Sequence, residues 1–352
     1  MTIFAQKILN HNIICILIFT GIFIIPGCQF NNTNAESECN ITFDSIRIDA
    51  IVGLPLDLIL KGDTLLVNQF YGDEFLSWIS LSDGKVIKSS IKRGDGPNDM
   101  IGPLKINKLS DSQLRIYDRQ GFNVYGSDFD CNNVEKIMNL PFSTSSMFCF
   151  NDGKILTSKI PFGIDDEKEK TTRFTIFTDS INKVCFGEYP RLSESEQSYP
   201  VEALAQFHQT NGFCELPDNR FVILSSHVLS MYVLDKGKYQ LLYEKSIAPY
   251  DYTYSPSTSN QSASVKLRDG YSKGAKGGII YHSGLLIFPF YENSDEMTIR
   301  CYNLDFDLIK KFNVTTQLQE PICLTSEGHI VAIVEEPEAS YIYISKTPLD
   351  KL

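Results

Sequence analysis

The sequence has few of the residues on which common catalytic sites depend. Only 5 of its 352 residues are histidine, and 1 is tryptophan. It has neither a Gly-x-Ser-x-Gly nucleophile motif nor a His-Glu-x-x-His zinc motif, so serine-hydrolase and zinc-protease chemistry lack support. The formal net charge is −11, and no run of lysine or arginine is long enough to follow a phosphate backbone. We therefore expect no nucleic-acid partner.

Cysteine pairs with the spacing Cys-x-x-Cys are also absent, although the chain has 9 cysteines. This excludes zinc ribbons and thioredoxin-like redox sites at the level of sequence. Five of the cysteines lie inside apolar runs, which predicts buried strand thiols that behave as small hydrophobic side chains. They are Cys149, Cys185, Cys214, Cys301 and Cys323. An exported protein could form a disulfide, but the spacing identifies no pair.

Only one apolar run is long, and it covers residues 13–25 near the N-terminus. It is shorter than the about 20 residues of a membrane-spanning helix and fits the core of a secretory signal. The next residues, Ile25-Pro26-Gly27-Cys28, resemble the lipobox of bacterial lipoproteins. This resemblance implies that 1–27 is a signal peptide, that Cys28 carries lipid, and that 28–40 is a polar tether. The alternatives are an ordinary signal peptide or a membrane anchor with an incidental cysteine.

The rest of the chain has almost no helical periodicity; only 200–207 is weakly helical. Short runs of Val, Ile, Phe, Tyr and Leu alternate with turns rich in Gly, Asp, Asn and Ser, which is typical of antiparallel strands. A tight turn followed by an apolar strand recurs six times, at 61–63, 110–112, 151–153, 217–219, 282–284 and 326–328. Four strands per unit at spacings of roughly 40 to 65 residues predict an all-β fold, a six-bladed β-propeller over 41–352.

The two ends of the chain support this prediction. The sixth unit has no fourth strand, whereas residues 41–51 read as a strand without a unit of its own. We expect this N-terminal strand to close the last blade, which removes an exposed sheet edge. An open sandwich or two separate β domains are the alternatives.

Residues 91–103 form the one local motif outside the signal. Arg93, Gly94, Gly96, Pro97 and Asp99 resemble a loop after the first blade in the TolB-like six-bladed propeller lipoproteins of Bacteroides-type bacteria. The resemblance implies a fold and an envelope location, and hardly any chemistry. The glycines permit positive φ angles and the proline restricts the turn, so a structural role for the loop is the main alternative to a functional one.

Binding residues are expected on one face of the propeller. The second-to-third and fourth-to-first connections share a face, which we call the long-loop face, while the opposite short-turn face has tight turns. The candidate binding residues of the long-loop face are Tyr71, Asp73, Glu74, Arg93, Asp95, Asp99, Asp118, Arg119, Tyr291, Glu292, Glu335 and Glu336. Further acids of these loops include Asp165, Glu196, Asp295 and Glu296. A solvated acidic rim that only aids solubility is the alternative.

We therefore expect a monomeric, lipid-anchored binding or scaffolding protein of the cell envelope, on the periplasmic or surface side of the outer membrane. Its partner would be an envelope protein or a glycan, and no cofactor is expected. Ca²⁺ is conceivable because the acidic loops offer several oxygens. Two other functions stay open: a metal-dependent hydrolase or lyase of the lactonase-like six-bladed type, and a carbohydrate-binding accessory of a nutrient-uptake system.

Overall fold

A computed structural model describes residues 39–96, 99–141, 144–159, 171–257, 263–293 and 296–351. Six antiparallel sheets form a six-bladed β-propeller, as the sequence predicts. The signal segment 1–27, Cys28 and Pro97 lie outside the described residues. In the described part, no helix has both the length and the apolar character needed to cross a membrane.

Two strands precede the first blade, and each blade then runs from the central channel outward. The N-terminal strands are β1 (Cys39–Ile41) and β2 (Phe43–Arg47). Blades 1 to 3 contain β3 (Gly53–Lys61), β4 (Thr64–Tyr71), β5 (Glu74–Ser80) and β6 (Val86–Lys92); β7 (Leu104–Ser110), β8 (Gln113–Asp118), β9 (Asn123–Asp128) and β10 (Val134–Asn139); β11 (Thr144–Cys149), β12 (Ile155–Lys159), β13 (Phe174–Phe177) and β14 (Lys183–Phe186).

Blades 4 to 6 follow, with a helix and a hairpin inserted around blade 4. The helix α1 (Val201–Phe207) confirms the weak helical pattern in the sequence, and 3-10 turns cover Ser195–Ser198, Pro217–Asn219 and Leu349–Lys351. The strands are β15 (Thr210–Glu215), β16 (Arg220–Ser225), β17 (Val228–Asp235) and β18 (Lys238–Ser246); the hairpin β19 (Tyr252–Ser255) and β20 (Ser264–Leu267); β21 (Gly274–Ala275), β22 (Ile280–His282), β23 (Leu285–Tyr291), β24 (Met297–Tyr302) and β25 (Leu308–Val314); β26 (Ile322–Leu324), β27 (Ile330–Glu336) and β28 (Ala339–Ser345).

Burial explains why the second and third strand of each unit stand out in the sequence. Blades pack face to face, so these strands are covered on both sides and read as nearly continuous apolar runs. All six residues of β24 are buried, whereas five of the six residues of the outer strand β10 are exposed. The outer strands are therefore polar and leave a weaker sequence pattern.

The N-terminus closes the propeller at two blades. Strand β2 pairs antiparallel with β28, from Phe43 opposite Ser345 to Arg47 opposite Tyr341, and confirms the predicted fourth strand of the last blade. Strand β1 pairs parallel with β25 and adds a fifth strand to blade 5, which the sequence did not indicate. Ile41 is 1% exposed within a cluster between these blades. One short segment thus covers two otherwise open sheet edges.

Among the described residues, Cys131, Cys149, Cys214, Cys301 and Cys323 are free thiols. Cys214, Cys301 and Cys323 are buried, as their apolar surroundings predict, whereas Cys149 and Cys185 are only half-buried. Burial raises the pKa of the three buried thiols to about 12. These thiols therefore remain protonated at neutral pH and act as packing groups.

Candidate functional site

The twelve candidate residues lie on loops and strand ends of blades 5, 6, 1 and 2, which form a continuous arc of the ring. Blade 1 supplies Tyr71, Asp73 and Glu74, and the connection from blade 1 to blade 2 supplies Arg93, Asp95 and Asp99. Blade 2 supplies Asp118 and Arg119, blade 5 supplies Tyr291 and Glu292, and blade 6 supplies Glu335 and Glu336. The fold brings these loops to one face but gives the side chains quite different environments.

Arg93 holds two loops of blade 1 together. Its Nε donates to the carbonyl of Gly72 at 3.2 Å, and its Nη2 donates to the carbonyl of Phe70. The guanidinium carbon lies 3.9 Å from the centroid of the Phe75 ring. Arg93 also forms a parallel β-bridge with Met100. The loop of the TolB-like motif is therefore tied to the β4–β5 turn by its arginine.

The acid of the same motif also serves the backbone. The Asp99 carboxylate accepts a hydrogen bond from the amide of Gly96 at 3.1 Å. A Cβ atom added to Gly94 or Gly96 would lie within 2.7 Å of that carboxylate, so a larger residue at either position would displace it. Asp95 is exposed at the tip of the loop and is the motif acid that faces solvent.

Asp118 and Tyr291 do not offer the free surface groups that the sequence predicted. Asp118 is 2% exposed. Its carboxylate accepts hydrogen bonds from the backbone amides of Gly102 at 3.0 Å and Gln120 at 3.2 Å, and it therefore organises the turn. Tyr291 is buried, and its hydroxyl donates to Glu320. Both side chains satisfy buried polar groups of the fold, a requirement that composition cannot reveal.

Glu292 is likewise occupied by neighbouring cations. Its Oε1 lies 2.8 Å from Nη2 of Arg300 and 3.3 Å from Nζ of Lys311. Burial raises the pKa of Glu292, but the hydrogen bond and charge of Arg300, followed by those of Lys311, outweigh it and lower the pKa overall. Glu292 is therefore an anion locked into blade 5, and Asp295 next to it lies outside the described residues.

Glu335 and Glu336 stand at the end of β27. Glu336 is exposed, while Glu335 is half-buried. The Oε1 atom of Glu335 is buried and has no hydrogen-bond partner among the described residues. Of the acids in this arc, Asp73, Asp95 and Glu336 are fully solvent-facing.

An exposed apolar patch lies beside these acids, and of its members the sequence analysis named only Tyr71. We define the apolar patch as Ile51, Leu54, Tyr71 and Ile101, which are 70%, 40%, 61% and 45% exposed. Gly53 stands opposite Tyr71 in the β3–β4 ladder, and this pairing brings Leu54 beside the Tyr71 loop. The Arg93 clamp carries the loop of Ile101 to the same place. Isolated exposed apolar residues are ordinary, but several on adjoining loops of one face are unusual.

The mouth of the central channel on this face holds a cavity of about 220 Å³. Its walls include Asp57, Lys105 and Arg119. Asp57 is 6% exposed; its Oδ2 accepts from Asn68 at 2.9 Å and from the amide of Ile106 at 3.1 Å, while Oδ1 contacts Lys105. Both oxygens of this channel acid are therefore engaged by the protein. Arg119 is the exposed cation at the mouth.

Glu196, one of the predicted long-loop acids, is fully buried. Its carboxylate accepts from Nε2 of His208 at 2.6 Å, from the hydroxyl of Tyr250 at 3.1 Å and from the amides of Leu192 at 2.6 Å and Ser193 at 2.8 Å. This network fastens the loop before α1 onto the propeller. It removes Glu196 from the acidic surface.

No group of three or more His, Cys, Asp or Glu side chains is placed to hold a metal ion within the described part of the chain. The acids Asp165 and Asp295 of the long loops are outside that part.

Comparison with known proteins identifies the architecture. A family model described as a TolB-like six-blade propeller matches residues 32–319. None of the curated proteins is similar enough to this chain to count as a match.

Several solved structures share the fold. An exported protein of Bacteroides fragilis is 13% identical with a TM-score of 0.57, covering 89% of this chain and 97% of its own. Regucalcin of Agrobacterium tumefaciens, a calcium-binding protein, is 12% identical with a TM-score of 0.52, covering 89% and 99%. A luciferin-regenerating enzyme is 9% identical with a TM-score of 0.50, covering 87% and 98%. At these identities the similarity concerns the fold alone.

Proposed function

This chain belongs to the TolB-like family of six-bladed β-propellers, and we propose that it is an exported, lipid-anchored module that binds an envelope protein without catalysing a reaction. The binding surface is the apolar patch of Ile51, Leu54, Tyr71 and Ile101 on the long-loop face. The acids Asp73, Asp95 and Glu336 surround it. The partner therefore has an apolar centre and basic groups at its rim.

The exposure of the apolar patch carries this proposal. Burying an apolar side chain releases about 25 cal/mol for each Å² removed from water, so these four residues are unfavourable in solvent. Tyr71 has the chemistry of an interface anchor, since its ring supplies contact area and its hydroxyl a hydrogen bond. Phe70 packs against the Tyr71 ring edge-on, with centroids 4.8 Å apart. This contact restricts the rotation of the Tyr71 side chain before a partner binds.

The surrounding acids act mainly on the rate and selectivity of encounter. Exposed charges attract a basic partner over roughly 8 Å at physiological salt and are weakened by added salt. Glu292 has no such role, because Arg300 and Lys311 neutralise it. Asp57 is similarly occupied at the channel mouth by Asn68 and Lys105. Both carboxylate oxygens of Asp57 already bond to other groups of the protein. This favours binding over metal-dependent hydrolysis, since a metal would need the same oxygens.

The envelope location rests on separate observations. The lipobox-like residues Ile25 to Cys28 would anchor the mature chain, and the similar Bacteroides fragilis structure is described as an exported protein. The first described strand, β1, begins at Cys39. Residues 28–40 would then form the tether between the lipid and the propeller.

Affinity capture from envelope extracts tests the proposal. Full-length protein and its Tyr71→Ser and Ile101→Ser variants are compared with Leu241→Ser, a matched control. Leu241 is 46% exposed on the outer strand of blade 4, away from the apolar patch. Each change affects an exposed side chain and should cost under about 0.5 kcal/mol of stability.

We expect a specific partner to be retained by the wild type and the control and lost from the two patch variants. Asp73→Lys with Asp95→Lys should slow its association and reduce the dependence on salt. Equal capture of the partner by all variants would show that the apolar patch does not take part in binding. A tightly held metal together with hydrolysis of a lactone or ester would replace binding with an enzymatic function.

A further inference from the structure

A long groove separates the outer parts of blades 1 and 2 and has no assigned role. Its volume is about 910 Å³, within the range of ligand sites. Asp99 and Met100 line its long-loop end, and Asn132 and Asn133 line its short-turn end. Strand β10, which forms one wall, has six residues and so spans about 20 Å. The groove is therefore long enough for an extended, repeating ligand.

Strand register shows which side chains of blade 1 face this groove. Ser90 stands opposite Leu76, and Lys92 stands opposite Glu74. Leu76 belongs to the apolar cluster between blades 1 and 2, which includes Ile116 of blade 2. Because side chains on a strand alternate between faces, Ser90 shares the side of Leu76. Lys92 and Glu74 line the groove at its long-loop end. Blade 1 thus presents a hydroxyl, an ammonium and a carboxylate to blade 2.

The same argument applies to the wall from blade 2. Lys136 stands opposite Tyr125, and Val134 stands opposite Ser127. Tyr125 packs against the same cluster between the blades and is half-buried. Lys136 and Tyr125 therefore face blade 1 across the groove. Glu135 also borders the groove, but it stands opposite Gly126, in register with Arg115, whose guanidinium lies beside Gly153 of blade 3. The Glu135 side chain is therefore directed toward blade 3.

The polar groups of the groove are largely unused by the fold. Among the described residues, the side chains of Glu74, Ser90, Lys92 and Lys136 make no hydrogen bond or ion pair. Two carboxylates, of Glu74 and Asp99, balance the two ammonium groups of the lysines. The side chains that face the groove thus combine donors and acceptors with no net charge. A ligand that matches it carries both donors and acceptors and is itself neutral.

We propose that this groove binds a neutral oligosaccharide. Sugar hydroxyls donate and accept, so a glycan chain can bond carboxylates, ammonium groups, amides and the Ser90 hydroxyl along one path. The ring of Tyr125 supplies an amphipathic surface for the C–H face of a sugar. An extended peptide fits less well, because the lining has few apolar pockets for its side chains. This site is separate from the apolar patch, and neither proposal depends on the other.

The test measures binding of defined oligosaccharides to the full-length protein by calorimetry. The probes are gluco-, xylo-, manno- and N-acetylglucosamine oligomers of about six units, with an extended neutral peptide of equal length as the competing ligand. Ser90→Trp fills the groove and Lys136→Ala removes one of its donors. Glu135→Ala is the matched control, since it changes the same exposed strand on the opposite side.

We expect at least one oligosaccharide to bind, with affinity reduced tenfold or more by Ser90→Trp and by Lys136→Ala and changed less than twofold by Glu135→Ala. Tyr71→Ser should leave this affinity unchanged. Binding through hydrogen bonds to a neutral ligand should also vary less than twofold between low and physiological salt. Failure of every oligosaccharide to bind, equal effects of Lys136→Ala and Glu135→Ala, or preference for the peptide would overturn the proposal.

Discussion

His208 and Glu196 form a buried pair in which the imidazole Nε2 lies 2.6 Å from the carboxylate Oε1. Burial lowers the pKa of His208 more than the carboxylate raises it, so the imidazole is neutral at pH 7 and donates from Nε2. Burial raises the pKa of Glu196, but the hydrogen bonds from His208, the Ser193 amide and Tyr250 outweigh it and lower the pKa. The pair fastens the insertion around α1, and its protonation links folding to pH.

The free energy of unfolding should fall as the pH drops from 7 toward 4. Burial lowers the pKa of His227 to about 4, and the folded-state pKa of His208 is also lowered. A depressed folded pKa means that stability is complete above the unfolded value of about 6.5 and is lost as the pH falls. His227 alone should account for about 3 kcal/mol across this interval, at about 1.4 kcal/mol per pH unit.

Denaturant unfolding of His227→Gln measures this contribution. The glutamine amide can still donate to the carbonyl of Ser272, which Nε2 of His227 contacts at 2.9 Å. We expect a flatter pH profile than that of the wild type. His282→Gln, a change at a half-buried imidazole, is the control and should keep the wild-type slope. A profile unchanged by His227→Gln would assign the pH dependence to other groups.

Closure of the propeller by the N-terminal segment predicts a large loss of stability for a single substitution in β1. Ile41→Ala removes a side chain that is 1% exposed where β1 covers blade 5, and it should cost about 3 kcal/mol. Ile51→Ala is the control, because Ile51 is 70% exposed and should change stability by under about 0.5 kcal/mol. Thermal and denaturant unfolding distinguish the two variants. Equal stabilities would mean that β1 contributes nothing to closure.

The Arg93 clamp predicts a local effect. Arg93→Lys keeps the charge but cannot reach the carbonyls of Phe70 and Gly72 with the same planar fork. We expect a loss of about 1 to 2 kcal/mol and faster amide hydrogen exchange in the loop up to Met100. Arg119→Ala should leave exchange in this loop unchanged, because its guanidinium lines the channel mouth. Identical exchange in Arg93→Lys and wild type would contradict the clamp.

Lipid anchoring predicts where the protein fractionates. Cys28→Ser removes the thiol that would accept diacylglycerol, so the protein should move from the membrane fraction to the soluble fraction. Cys39→Ser is the matched control and should remain with the membrane. Labelling with a fatty-acid analogue provides the second measurement. Membrane retention of Cys28→Ser without label on the wild type would rule out this anchor.

Much of the fold was accessible from the order of residues. The recurrence of a tight turn before an apolar strand predicts six blades, because strands covered on both faces must be apolar along their length. The missing fourth strand of the last blade and the unassigned strand near Phe43 likewise predict closure. The second closure through β1 was not accessible, since three residues such as Cys39 to Ile41 carry no pattern that distinguishes a strand from a tether.

The candidate site was less accessible. Sequence placed Asp118, Tyr291 and Glu292 on the correct face because loop lengths determine that face. The sequence could not distinguish these bonded residues from the exposed Asp73 and Asp95, because an aspartate that accepts hydrogen bonds from backbone amides and an aspartate in solvent have the same side chain. Apart from Tyr71, the apolar patch was overlooked for the converse reason, since Ile51 and Ile101 resemble core residues until the packing of the described residues shows that they are exposed.

The sequence by itself determined the all-β fold class, the number of blades and the closing strand near Phe43, because these follow from the pattern of apolar residues and turns along the chain. Tertiary structure alone decided which polar groups are free. Glu196 is hydrogen-bonded to His208 and Glu292 is paired with Arg300, whereas the side chains of Lys136 and Ser90 line a groove between blades 1 and 2 and make no hydrogen bond among the described residues. Such differences arise from contacts between residues distant in sequence, and local composition does not encode the distances on which hydrogen bonds and ion pairs depend.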